Sequence, residues 1–364
     1  MCVKGTRLVL SLATASIALA ACSDAALPIT TSQRIIESRP YHIDQIYRSM
    51  EGPIGRVLTT LDAAQDKNPP ELLWVTAIRS DVVQRTTGQT ADDGLMCHTN
   101  VSFARFRDHH RTFYPEQATI RAHPRVFTLS QGQLSVSFPS GFGIPMLSNS
   151  PLAIDTQALN LNDPGLDEQV RIRTTIDYVR DADLETPMVP LIQRAAQGAV
   201  LIRGKDGYHG VSEADPGEHG PGCVMGTPQT ASNIQDPFGR VFAAHWQVPP
   251  GREVNHALVT QFIAIPYDTT VHYIAVHLHP FATSLELRDL TADETVFRSE
   301  ARGPETGIGL EHVDSFSSLD GIPIYADHQY ELVSVYENTS GETQDSMAVM
   351  FLYLRDLHFT KPAL

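Results

Sequence analysis

The sequence predicts an all-β protein made of two antiparallel β-sandwich domains in tandem. Short runs rich in β-branched and aromatic residues recur along the chain, each bounded by Gly, Pro, Asn or Asp. Stretches with helical periodicity are nearly absent. With 364 residues the chain is also too long for one sandwich of ordinary size.

The N-terminus comes first. Lys4 and Arg7 form a short basic region, and Leu8 to Leu19 is an apolar run too brief to span a bilayer as a helix. Leu19-Ala20-Ala21-Cys22 then closes it, which is the pattern of a bacterial lipoprotein signal, residues 1–21, with Cys22 as the lipidated residue. The chain is thus expected in the cell envelope, on the outer membrane or the periplasmic side of a membrane, with the membrane as a partner through its lipid. Residues 22–40 are small and polar and read as a tether.

The first sandwich is expected over 41–195. Its strand-like runs are Leu72 to Ile78, Leu134 to Phe138 and Val170 to Ile176. A segment near Ile43 to Met50 and Met188 to Gln197 are the two short helix candidates. The second sandwich is expected over 196–364, with strands at Ala257 to Ile263 and Tyr330 to Tyr336. Residues 198–235, rich in Gly and acidic side chains, read as a long surface excursion.

A net charge of −15 repels a phosphate backbone, so nucleic acid is not an expected partner. Four cysteines are present. Cys2 leaves with the signal and Cys22 carries lipid, which leaves Cys97 and Cys223. In an oxidising compartment these two either pair as a disulfide or serve a metal.

The chain has 15 histidines, and one group stands out. In His272-Tyr273-Ile274-Ala275-Val276-His277-Leu278-His279, strand alternation turns His277 and His279 to the same face, about 7 Å apart at the backbone. Two imidazoles from one strand hold a metal if another element adds a ligand; otherwise they are surface or carboxylate-paired histidines. Met347, in Asp345-Ser346-Met347 before an apolar strand, is core filler unless it sits beside them. A thioether with two imidazoles and an open position suits copper, Cu(I) above all. Cys97-His98 and Asp108-His109-His110 are weaker signals, and His209, His219, His245 and His328 fall in or beside loops, where structural roles are the default. Gly-x-Ser-x-Gly and phosphate-cradling loops are absent.

Taken in order, these motifs resemble the copper type II, ascorbate-dependent monooxygenases, the peptidylglycine- and dopamine-hydroxylating group. Leu134 to Met146 with Leu152 to Asn160 resembles the end of that family's first domain. Val248 to Gly251 and His277-Leu278-His279 resemble the start of its second, and Tyr330 to Asn338 with Asp345-Ser346-Met347 its close. The resemblance implies two jelly-roll-like sandwiches across a solvent-filled cleft. It also implies that His277, His279 and Met347 hold the copper that activates O2 for attack on a C–H bond. The family's first-domain copper has an adjacent His-His pair where this chain has Cys97-His98, and a third His near Leu159-Asn160, where none exists. That site is degenerate, or Cys97 and His98 form an altered second metal site, with His109 or His110.

The function expected from these readings is a copper-binding envelope lipoprotein, monooxygenase-like, acting as an oxidoreductase on a small-molecule substrate with a reductant. The alternatives are a non-catalytic copper-binding or delivery protein, and a metal-free envelope interaction module of the same fold.

Overall fold

The computed structural model describes residues 30–49, 51–62, 70–116, 124–203, 233–235 and 241–364, with the side chains of 201–203, 233–235 and 241 left aside. Cys22 and Cys223, and with them the lipidation and the disulfide, lie outside the described residues.

The protein is all-β, and its strands form two jelly-roll-like sandwiches joined through one long sheet. That sheet runs Ser32–Glu37, Glu168–Arg180, Leu72–Gln84, Phe142–Leu147, Val189–Gln197, Ala348–Arg355, Thr269–Leu278 and Phe316–Ile324 in spatial order. Its first half faces the sheet of Ile54–Thr59, Leu152–Ala158, Met96–Phe103 and Arg125–Ser130, and Leu73, Val75, Val101, Phe127, Leu129 and Ile154 pack between them. Its second half faces the sheet that includes Gly251–Leu258, Tyr330–Asn338, Ala282–Asp289 and Glu294–Arg302. There Ile274, Val276, Leu285, Leu287, Leu332, Met350 and Leu352 form the core.

The central strands are buried on both faces, and this joins the two halves. Even-numbered residues of Ala348–Arg355 enter the second core, whereas Val349, Phe351 and Tyr353 pack with Phe127, Phe138 and Tyr273 against the first sandwich. Phe138 meets Tyr273 edge-on at 5.8 Å and Tyr353 at 4.9 Å between ring centroids. Such aromatic pairs contribute about 0.5–1.5 kcal/mol each beyond area burial. Polar contacts fix the register: the Tyr353 hydroxyl donates to the Val126 carbonyl at 3.1 Å, and the Val276 amide donates to Gln133 Oε1 at 2.6 Å. Between Gln131 and Gln133 the turn passes through Gly132 at φ +80°, where a Cβ would stand 2.7 Å from Val313. Glycine is what lets this turn press against the second sandwich.

Several sequence expectations change. The tether read over 22–40 enters the sheet at Ser32, because Ser32–Glu37 pairs antiparallel with the 168–180 strand. Met188 to Gln197 is not a helix. Val189–Gln197 is a strand, and burial of both its faces erases the alternation that would have marked it. It straddles the expected 195/196 boundary and pairs along most of its length with the second half. Tyr41–Ile43 is a short strand, with no helix over the described part of 43–50. The run at 257–263 ends its strand at Leu258 and turns into a helical turn, Thr260–Ile263. The polar stretch around Asp108-His109-His110 is the helix Phe106–Phe113.

On the outer sheet, Glu286 accepts from Arg288 Nε at 2.7 Å, Thr295 Oγ1 at 2.8 Å and Arg298 at 3.2 Å. The Arg288 hydrogen bond outweighs burial and holds its carboxyl down at about 2, from an ordinary 4.5. A depressed carboxyl stabilises the fold above the unfolded value, and that contribution is lost as pH falls from about 4.5 toward 2. Because the arginines are partly exposed, Glu286→Gln is expected to cost only about 1–2 kcal/mol at pH 7 in urea unfolding. It should also reduce the acid sensitivity below pH 4.5; an unchanged pH profile would contradict the assignment.

Candidate metal centre

The two histidines singled out in the sequence stand where the 269–278 strand leaves the sheet. His277 pairs with Val349, and Leu278 with Ala348, so His279 lies one step past the last paired position. Both rings are buried, with centroids 5.3 Å apart and planes nearly perpendicular. They share the face of Ala275 and Val349, which looks toward the first sandwich.

A second strand pair brings in the carboxylate. Trp246–Val248 pairs with Gln344–Ser346, with Trp246 opposite Ser346 and Gln247 opposite Asp345, which sets His245 beside Asp345. Asp345 Oδ2 lies 3.2 Å from His279 Nδ1 and 3.4 Å from His245 Nδ1. One ligand-type atom from each of His245, His279 and Asp345 falls within 4.8 Å of the others. His279 Nδ1 also lies 3.3 Å from the Asp345 carbonyl and 3.4 Å from Ser49 Oγ. Carboxylate and carbonyl are acceptors only, so this network assigns the proton to Nδ1. His279 Nε2 then carries a lone pair, and it is buried with no hydrogen-bond partner among the described residues. His277 Nδ1 is in the same condition.

Electrostatics keeps the rings of His277 and His98 neutral. Burial, then the charges of His279, His98 and His245, push the His277 imidazole well below its usual value. His98 on the facing sandwich is held down at about 3 by burial, then by Arg125, His279 and His245. Burial works to raise the Asp345 carboxyl, but hydrogen bonds from His245 and His279 prevail and keep it ionised. The result is an ionised carboxylate that grips the Nδ1 edges of two imidazoles. In metal sites, a histidine ligand commonly donates its other ring N–H in this way.

His277, His279 and Asp345 line a cavity of ≈ 710 Å³ between the sandwiches. From the first sandwich its wall includes Ile46, Ser49, Cys97, Gln131 and Leu159. Cys97 and His98 adjoin one another, with His98 Nδ1 3.3 Å from the sulfur. Asn160 uses its side-chain amide to donate to the Gln45 carbonyl at 3.0 Å. His109 and His110 do not join Cys97 and His98: His109 stacks on Phe103 at 3.7 Å, and His110 lies near Phe106 and Tyr114.

Met347 is buried in the interface cluster with Ala275, Val349 and Phe351, and its carbonyl accepts from the Tyr336 hydroxyl at 2.6 Å. Alternation places its side chain on the face of Val349, the pairing partner of His277. It is not among the cavity-lining residues. In the sequence His245 reads as a loop histidine, and no pattern there gives Asp345 a role. The short pairing of 246–248 with 344–346 that unites them leaves no periodic signal.

No protein-family model matches the chain, and no curated protein matches it. Among solved structures it is similar to N-glycanase F (PNGase F), with a TM-score of 0.34 and 8% identity over 88% of this chain and 96% of that one. A structure from Sulfolobus turreted icosahedral virus gives a TM-score of 0.23 and 12% identity over 89% of this chain and 90% of that one. Scores this low carry no inference about site or activity.

The His98 environment makes a pH prediction. A histidine kept neutral in the fold but protonated when unfolded makes the unfolded state bind the extra proton between about pH 6.5 and 3. Stability of the metal-free protein should therefore fall on acidification through that window, by about 1.4 kcal/mol per pH unit for each such ring. His98→Leu should flatten the slope by one proton, measured by denaturant titration; an unaltered slope would show His98 titrating normally.

Proposed function

We propose that this chain is a copper-binding protein with one mononuclear centre in its second sandwich, acting as an oxidoreductase on a small organic molecule. The observation that carries the reading is the pair of buried imidazole nitrogens, His277 Nδ1 and His279 Nε2, without hydrogen-bond partners in the wall of the interdomain cavity. Buried polar atoms are normally satisfied, and those that are not often mark an absent ion or water. A metal requires deprotonated imidazoles, and burial keeps the His277 ring in that form at neutral pH.

In this reading His277 and His279 hold the metal and Met347 is the soft donor on the same face. Asp345 and His245 serve as positioning residues that fix the His279 ring. Two neutral nitrogens and a thioether favour Cu(I), whose single charge also suits a buried setting better than a divalent ion. Copper when bound would supply one-electron and O2 chemistry. The chain's own part is to hold the donors in place, keep the His277 imidazole neutral, and admit a substrate of modest size to the cavity.

A second reading, copper binding or delivery without turnover, is favoured by the first sandwich. On the resemblance, Cys97 and His98 would replace the two adjacent imidazoles of the hydroxylating family, and Asn160 cannot replace the third. The metal-free module remains the outcome if no metal is retained.

The full chain should take up about one Cu(I). His277→Ala and His279→Ala should each lose tight binding, and Asp345→Asn should weaken it about 10–100-fold, in competition with a chromogenic Cu(I) chelator. Stoichiometric tight binding in both histidine variants would remove the site. Reductant-dependent O2 uptake lost in Met347→Ala supports the oxidoreductase; copper uptake with no O2 uptake supports delivery.

We also propose that Cys22 anchors the protein to the envelope. Cys22→Ala should shift it from the membrane to the soluble fraction and abolish incorporation of labelled fatty acid; persistent labelling would contradict this.

A further inference from the structure

A second polar cluster, remote in character from the histidine site, lies where the long sheet forks. The strands Phe142–Leu147 and Val189–Gln197 pair at Val189–Phe142 and Pro190–Gly143 only, then separate. The helix Phe106–Phe113 lies against the gap, and a small pocket of ≈ 40 Å³ opens there, lined by Phe103, Phe106, Ile144, Pro145, Gln193 and Arg194 among others.

Its polar lining is unusually poorly satisfied. Arg194 is 5% exposed, and its guanidinium donates to the neighbouring Gln193 carbonyl at 3.1 Å, while its Nε is buried without a partner among the described residues. Gln193 is 6% exposed, and neither its amide nitrogen nor its amide oxygen has a partner among the described residues. His109 Nδ1 and His110 Nε2, in the same lining, are also buried and unpartnered. Arg125, a second cation in the wall, donates to Thr128 at 2.9 Å.

The nearby acid does not relieve this. Asp356 accepts from the Tyr114 hydroxyl at 2.6 Å, the Tyr267 hydroxyl at 2.8 Å and the His358 amide at 2.9 Å. It offsets part of the Arg194 charge through space but forms no ion pair with it. A buried guanidinium left without a hydrogen-bonded counter-charge is costly, and the usual remedies are an anion or a compensating acid. Here the second is already committed elsewhere.

We propose that this pocket is an anion site for a carboxylate group, held by Arg194 and the Gln193 amide between apolar walls. A guanidinium offers parallel N–H donors that match the two oxygens of a carboxylate, and the amide N–H adds a third. The pocket's size restricts the bound part to a one- or two-carbon acid or the carboxylate end of a slender chain. The apolar rings of Phe103 and Phe106 with Ile144 and Pro145 suit the carbon end of such a ligand.

The test uses the full chain and sodium acetate as probe, with sodium chloride and sodium phosphate at matched ionic strength. Acetate should shift the Arg194 Nε–H and Gln193 side-chain amide NMR signals saturably. Arg194→Met should weaken acetate binding at least tenfold, and Gln193→Leu several-fold. Should Arg194→Met fail to fold, Gln193→Leu carries the test, because it leaves the charge in place. Absence of a saturable shift, equal responses to chloride or phosphate, or wild-type acetate affinity in Gln193→Leu would each overturn the proposal. So would a crystal structure from acetate showing only ordered water in the pocket. None of these results bears on copper uptake, so the two readings fail separately.

Discussion

Burial of both faces of the central sheet is the constraint on which the rest depends. Val349, Phe351 and Tyr353 turn one way into the first sandwich, and Ala348, Met350, Leu352 and Leu354 turn the other way into the second core. This makes the sheet a common wall and leaves little freedom for one sandwich to rock against the other. It also decides where His277 and His279 look. They continue the face of Tyr273 and Ala275, so at the end of the strand, where the packing stops, they meet the cavity rather than solvent.

The same burial sets the chemistry. Imidazoles removed from water resist protonation, and for His98 and His277 the neighbouring His245 and His279 reinforce this. Asp345 is the half-buried carboxylate gripping that group, and its position at the Nδ1 side of both His245 and His279 leaves their Nε2 edges turned away from it. A site assembled this way costs the fold little at neutral pH, where His98 and His277 are neutral, and more in acid. The interdomain turn at Gly132 and the contacts of Gln131 and Gln133 keep the opposite wall in place.

Much of the architecture was legible because exposed-face strands keep their alternation. Leu134 to Phe138 and Val170 to Ile176 announce themselves, and the His277-Leu278-His279 spacing already places two rings on one face. What the sequence obscures follows from the same physics. Val189–Gln197 loses its alternation because both faces are covered, and so imitates a helix. Ser32–Glu37 is an edge strand with few apolar residues, and so imitates a linker. His245 and Asp345 meet through a pairing of two three-residue strands, nearly 100 residues apart, which no local pattern records. The Arg194 pocket likewise depends on where two strands part company.

The most direct measurement of the copper assignment is X-ray absorption spectroscopy of the full chain loaded with one equivalent of Cu(I). The account predicts a low-coordinate centre with two imidazole nitrogens, recognisable by outer-ring scattering, and one sulfur lost in Met347→Leu. A shell of oxygen donors alone, or one without imidazole scattering, would contradict it.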